Sequence, residues 1–284
     1  MKGVQIVEPN KLQIVDLEKP QIDKENNVLV RMVAAGICGS DVGIYHGTNA
    51  AATYPRIIGH ENVGIVEEIG EGVTRVKVGD RVIIDQVTAC GHCYACRKGR
   101  PNVCGNLKVR GVHIDGGYRE YMAVPDRDCY LVPEILSDEE AVMIEPTTIA
   151  VQCCSRAELE SEDTVMIIGS GALGSSILRI VKLYNPKAII VTDIDDARLA
   201  RAESIYTVEH AKEMGVELHY VNTAKPGCDT NYLRELSGGT GYDDVICFAP
   251  VKPVVEQASD ILGFDGCLNF FAGPTNSQFK AEFN

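Results

Sequence analysis

DTVMIIGSGALGSSILRIVKLYNPKAIIVTD, residues 163–193, decides the fold. A short apolar run leads into glycines. Apolar residues then recur at helical spacing through Tyr184, and a second apolar run ends at Asp193. That pattern predicts strand, tight turn, helix and strand, the βαβ unit of a parallel sheet. Gly169, Gly171 and Gly174 stand as G-x-G-x-x-G at the strand-to-helix junction, with Leu173 among them. Gly169 permits the turn, Gly171 lets the backbone approach a pyrophosphate, and Gly174 lets the helix pack close to the sheet. The phosphates would sit at the positive end of the helix. Alone the glycines say little. Asp193, nineteen residues beyond Gly174, strengthens them: an acid there accepts hydrogen bonds from the adenosine ribose hydroxyls and repels a 2′-phosphate. NAD is therefore expected over NADP. Arg198 could soften that preference, but reads rather as a surface arginine or a cover for the adenine.

Working outward, "DDVICFAP" (243–250) and "GCLNFFAG" (266–273) repeat the buried-strand theme. Before residue 150 the style differs. "NNVLVRMVAAG", "NVGIVEEIGEG", "VGDRVIID" and "GGYREYMAVP" are short alternating runs bounded by Gly, Asp and Pro, which predicts a β-barrel-like domain. The expected organisation is 1–150 and 151–284, and 284 residues suit about two domains. No internal repeat and no low-complexity segment interrupts them.

A net charge of −13 argues against nucleic acid or an anionic membrane as partner. No apolar run approaches the roughly 18 residues of a membrane span. "MKGVQIVEPNKLQIVDLEKP" breaks its apolar residues with charges, unlike a signal or transit peptide, so the expected location is the cytosol.

In a reducing cytosol, eleven cysteines are not a disulfide framework. Cys90, Cys93, Cys96 and Cys104 are spaced C-x2-C-x2-C-x7-C. The short spacings let thiolates converge on one ion, and the "RKGRPNV" loop returns a fourth. The bacterial ferredoxin run closes instead with x3 and a proline, whereas Gly105 follows Cys104 here. A closed four-cysteine shell leaves no position for substrate, so this zinc is structural.

A second donor set lies in "GICGSD", "GHENVG" and "AVMIEPTTIAV": Cys38, His60 beside Glu61, and Glu145 before Pro146. Singly each has an ordinary explanation in packing or helix ends. Jointly they supply a thiolate, an imidazole and one or two carboxylates, and three protein ligands with an open position make a catalytic zinc site.

These residues resemble the zinc-dependent medium-chain dehydrogenase/reductase family, the alcohol and polyol dehydrogenases. Gly59-His60-Glu61-x-x-Gly64-x5-Gly70-x-x-Val73 matches the family's zinc signature, and the likeness runs from about residue 3 to the end. "IEP" at Glu145 resembles the sorbitol and threonine dehydrogenase branch; liver-type alcohol dehydrogenases carry cysteine there. The resemblance implies a GroES-like catalytic domain followed by a Rossmann domain, with the active site in the cleft between them. It also implies two zinc ions per chain and hydride transfer from a zinc-polarised alcohol to NAD+. Ser40 matches the hydroxyl that first takes the alcohol proton, and Asp41 the carboxylate that orients the ligand histidine. Both also suit plain turn capping.

Two departures stand out. The family often relays the proton through a histidine five residues after the ligand cysteine. That position is Gly43 here, leaving Tyr45, His46 or a route through cofactor ribose and water. The chain also stops at "AGPTNSQFKAEFN", just after the expected fifth Rossmann strand. The family continues with a sixth strand, the dimer edge and further catalytic-domain helices. The chain therefore reads as C-terminally short, without the edge strand of the usual dimer or tetramer.

Two carboxylates compete for the catalytic zinc. Glu61 adjoins His60, but neighbours in regular structure point in different directions. Glu145 stands where liver-type relatives place their third protein ligand. Glu145 is thus expected as the resting ligand, with Glu61 close by or exchanging. The expected activity is oxidation of a polyol or other secondary alcohol with NAD. The alternative is a zinc- and nucleotide-binding protein without turnover.

Overall fold

Strand Thr164–Ile168 is buried along its whole length. Ala188–Asp193 beside it is equally buried, because both faces of their sheet are covered. Five parallel strands lie in the order Glu217–Asn222, Ala188–Asp193, Thr164–Ile168, Tyr242–Cys247, Leu262–Phe270. This is the Rossmann-type doubly wound order, in which the chain starts centrally and winds outward both ways. Val165, Ile167, Ile189 and Val191 pack on one face with Ile177, Leu178 and Val181 of helix Ala172–Val181. Met166, Ile168, Ile190 and Val245 face the other way, toward Val255 and Ala258 of helix Lys252–Asp260. Alternate residues of one strand thus enter two separate cores.

The structure, a computed structural model, describes residues 1–249, 251–271 and 280–282. The tail from Ala272 onward, where the short C-terminus was expected, lies outside the described residues apart from 280–282. The chain divides into the units Met1–Glu145 and Pro146–Asn284. The division falls in the first turn of helix Ile144–Ala157, a little before the residue 150 expected from composition. Among the described residues, no helix is long and apolar enough to cross a membrane.

The first unit is antiparallel, and the barrel expected of it does not close. Its main sheet runs Cys129–Leu131, Arg81–Ile84, Asn62–Ile69, Val28–Ala35, Tyr121–Val124. A separate sheet holds Lys11–Asp16, Lys2–Glu8 and Arg56–Ile57. The two are linked near Tyr118 by an isolated bridge between Gly3 and Arg119, with Val4 N–H donating to Tyr118 O at 2.8 Å and Glu120 N–H to Lys2 O at 3.2 Å. The Gly116–Tyr118 segment follows Ile57–Gly59 through irregular bonds instead of a ladder, so pairing stops there. Alternation along each strand was legible, but closure needs continuous register between the end strands.

Candidate functional site

The four-cysteine loop is built from short local pieces: helix Tyr94–Arg97, the 3-10 turn Pro101–Val103, and left-handed Gly91 and Gly99. The sulfurs of Cys90, Cys93, Cys96 and Cys104 all lie within 4.8 Å of one another. Cys93–Cys96, Cys93–Cys104 and Cys90–Cys104 stand at 3.5, 3.7 and 3.5 Å. A disulfide needs about 2.05 Å, while a tetrahedral zinc with Zn–S of about 2.3 Å has sulfur–sulfur edges of about 3.8 Å. The spacing fits a metal. Backbone N–H groups support the charge: those of His92 and Cys93 lower the Cys90 thiol, and that of Cys96 lowers Cys93. Cys96 is pushed up, mainly by desolvation.

Cys38 caps helix Gly39–His46, and its N–H donates to Asp41 Oδ2 at 2.9 Å. Asp41 is buried, and its other oxygen accepts the Gly59 N–H at 3.1 Å. One carboxylate therefore holds the backbone of both limbs of the site. His60 Nδ1 lies 3.8 Å from Asp41 Oδ1, buried and without a hydrogen-bond partner. Its Nε2 faces Ser40 Oγ at 3.4 Å. Ligand atoms of Cys38, His60 and Glu61 all fall within 4.8 Å of one another. Gly36 leaves the room for this, since a Cβ there would stand 2.2 Å from Glu61 Oε2.

Glu145 lies outside that triangle. It is near enough for His60 and Glu61 to act on it, and Gln86 hydrogen-bonds it. The expectation that set Glu61 aside rested on neighbouring side chains diverging in regular structure. His60 and Glu61 instead occupy irregular backbone, just before strand Asn62–Ile69 and after Gly59 at φ +94°. Without a pleat, both side chains reach one point.

Burial raises the Cys38 thiol, with Ser40 hydrogen bonds opposing, and raises Glu61, with His60 opposing. Glu145 is pushed up to about 7, first by burial, against the pull of His60. Desolvation thus disfavours the charged forms of one buried and two half-buried groups, an effect that a bound cation would reverse. A thiolate, an imidazole and a carboxylate suit zinc, which takes sulfur, nitrogen and oxygen ligands. The relay candidates are engaged elsewhere: Tyr45 packs against Ile6, Ile44 and Ile58, and His46 Nδ1 meets Asn10 Oδ1 at 3.0 Å.

The glycine turn of the second unit has its expected form. Gly169 sits at φ +100°, Gly171 caps helix Ala172–Val181, and Leu173 follows in its first turn. A Cβ on Gly174 would stand 1.9 Å from Gly169 O, so any other residue would push the helix off the strand. Asp193, buried at its strand end, accepts from the N–H of Ser170 and of Asp195 at 2.8 and 3.1 Å. Arg198 Nη1 is 3.8 Å from its Oδ1. Sequence reasoning passed over Ser170 and Tyr118. The only signal was a hydroxyl, at the first x of G-x-G-x-x-G for Ser170 and directly after Gly116-Gly117 for Tyr118.

Residues 24–134 match the family described as the alcohol dehydrogenase GroES-like domain. The chain is 44% identical over 227 residues to the starvation-sensing protein RspB of Escherichia coli, a match covering 80% of this chain and 64% of that one. It therefore spans less than two thirds of that relative's length. To L-threonine 3-dehydrogenase of Shewanella loihica it is 32% identical over 278 residues, covering 96% of this chain and 78% of the relative. Zinc dependent alcohol dehydrogenase 2 from Streptococcus pneumonia, in its apo form, superposes with a TM-score of 0.86 at 35% identity, over 100% of this chain and 78% of that one. With the two cysteine-bearing sites inside the matched segment, this chain belongs to the zinc-dependent alcohol dehydrogenases of the medium-chain dehydrogenase/reductase family, in the branch of the sorbitol and threonine dehydrogenases.

Proposed function

We propose that the protein is a cytosolic dehydrogenase that moves a hydride between a secondary alcohol, a polyol or a relative of one, and NAD. The observation that carries this reading is the convergence of Cys38, His60 and Glu61 within 4.8 Å in the first unit. Cys38, His60 and Glu61 would hold a catalytic zinc, and the four-cysteine loop a structural one. When bound, the catalytic ion supplies Lewis-acid polarisation of the substrate oxygen, and NAD supplies the hydride acceptor.

The chain's own residues do the rest. Ser40, beside His60 Nε2, takes the substrate's proton. Asp41 holds the turns that carry Cys38 and His60 through the Cys38 and Gly59 N–H groups. In this proposal Glu145 stands by as the exchanging carboxylate and Glu61 takes the resting place that the sequence reading gave to Glu145. In the second unit the Gly171 helix end receives the pyrophosphate, and Asp193 receives the ribose hydroxyls and rejects a 2′-phosphate. The Arg198 guanidinium, near Asp193 Oδ1, covers the adenine.

Metal analysis together with NADH formation on a panel of polyols, sugar-alcohol phosphates, butanediol and threonine tests the reading. Turnover of at least one secondary alcohol with NAD supports it. A chain with both zincs that binds NADH and oxidises none of them would be a binding protein instead.

A further inference from the structure

Tyr118 touches both limbs of the metal triangle. Its hydroxyl stands 2.5 Å from Gly36 O, two residues before Cys38, and 3.2 Å from Asp41 Oδ2, the oxygen that also accepts the Cys38 N–H. Its ring lies on Gly59, next to His60: a Cβ there would come within 2.1 Å of Tyr118 Cδ1. The tyrosine is itself held by backbone bonds, its N–H donating to Ile58 O at 3.0 Å and its carbonyl accepting from Val4 N–H at 2.8 Å.

We propose that Tyr118 is a positioning residue for the catalytic metal ligands, its hydroxyl tying Asp41 and the Gly36 carbonyl together while its ring sets the turn before His60. The inference rests on the reading of Cys38, His60 and Glu61 as a zinc site. One phenolic proton lies between two acceptors, so the group draws the Cys38 limb toward the carboxylate that backs His60. Gly36 also donates its N–H to Glu61 O at 2.8 Å, so a shift of Gly36 reaches the third ligand as well. Burial, then the adjacent Asp41 charge, raises the phenol well above its usual value, which keeps it a donor throughout the working pH range. A purely packing role would need only the ring. A phenylalanine would fill the same space, leaving Asp41 Oδ2 with the Cys38 N–H alone.

The test compares zinc release to a colorimetric chelator from the full-length wild-type chain and from Tyr118→Phe, which keeps the ring on Gly59. Wild type should release two equivalents in two phases, the slower from the four-cysteine loop. Outer partners of metal ligands are typically worth 10–100-fold in metal affinity. Tyr118→Phe should therefore speed the faster phase by about tenfold and leave the slower phase unchanged, with at most a small fall in melting temperature from the lost hydroxyl bonds. In an Asp41→Asn background the same substitution should add little, because its charged acceptor is gone. Wild-type release kinetics in Tyr118→Phe would overturn the proposal, and so would acceleration of both phases with a lowered melting temperature, which would mark a general loss of stability. A wild-type chain that holds only the four-cysteine zinc would instead overturn the underlying site reading.

Discussion

Ser170 donates both its backbone N–H and its hydroxyl to the same oxygen of Asp193, at 2.8 and 3.2 Å. The carboxylate is thereby clamped at the end of strand Ala188–Asp193, with its other oxygen turned to the Asp195 N–H and toward Arg198. On the proposed function, a carboxylate fixed in this way would meet a ribose without having to reorganise and would repel a 2′-phosphate.

Asp193→Ala should weaken NADH binding and narrow its gap to NADPH by about tenfold or more, since hydrogen bonds to a charged group are worth about 1.5–3 kcal/mol each. Ser170→Ala should weaken NADH binding less and preserve the preference. Fluorescence titration of both cofactors reads these effects. A wild-type chain that favours NADPH would refute this account of Asp193.

The two glutamates should separate in metal content. Glu61→Gln should strip zinc from the Cys38–His60 site, because it removes a member of the triangle. Glu145→Gln should retain most of the metal and lose turnover. Elemental analysis of protein purified without chelator decides this. Zinc loss confined to Glu145→Gln would restore the order expected from sequence.

Cys93→Ser should act on stability. A structural zinc contributes folding free energy directly, so this variant should lose one equivalent of metal and melt several degrees lower, while any folded fraction keeps its Cys38–His60 zinc. Unchanged melting with turnover abolished would assign the chemistry to the wrong site.

Asp244 should give the second unit an acid-side stability. It is buried, its Oδ1 has no hydrogen-bond partner, and its carboxyl is pushed up to about 7, first by burial and then by Asp163. The folded state therefore holds this proton more tightly than the unfolded chain, whose value is 3.8. The contribution is complete below about pH 4 and is lost as pH rises through about 7. Asp244→Asn should flatten that decline and raise the melting temperature above pH 7 by on the order of a few degrees. A wild-type melting temperature that rises between pH 5 and 8, with no change in slope in Asp244→Asn, would contradict this.

What could be read from sequence was what depends on local geometry. Gly169 and Gly174 need only the strand and helix that flank them, and the four cysteines converge through spacings of two and seven residues. Cys38 and His60 were legible as residue types. The approach of Glu61 to Cys38 and His60 was not, because alternation presumes a pleat and Gly59 at φ +94° removes it. Tyr118 reaches Asp41 across 77 residues of sequence, and a tyrosine in a Gly-Gly-Tyr turn otherwise reads as packing. Closure of the first unit's strands depended on register between sheet ends, which no single strand encodes.

The most direct test is the rate of NADH formation from a secondary alcohol as the Cys38–His60–Glu61 site is emptied and refilled. Chelation that removes one zinc equivalent while the four-cysteine loop keeps the other should abolish turnover, and added zinc should restore it in proportion to occupancy. Undiminished NADH formation by a chain holding only the four-cysteine zinc would contradict the account.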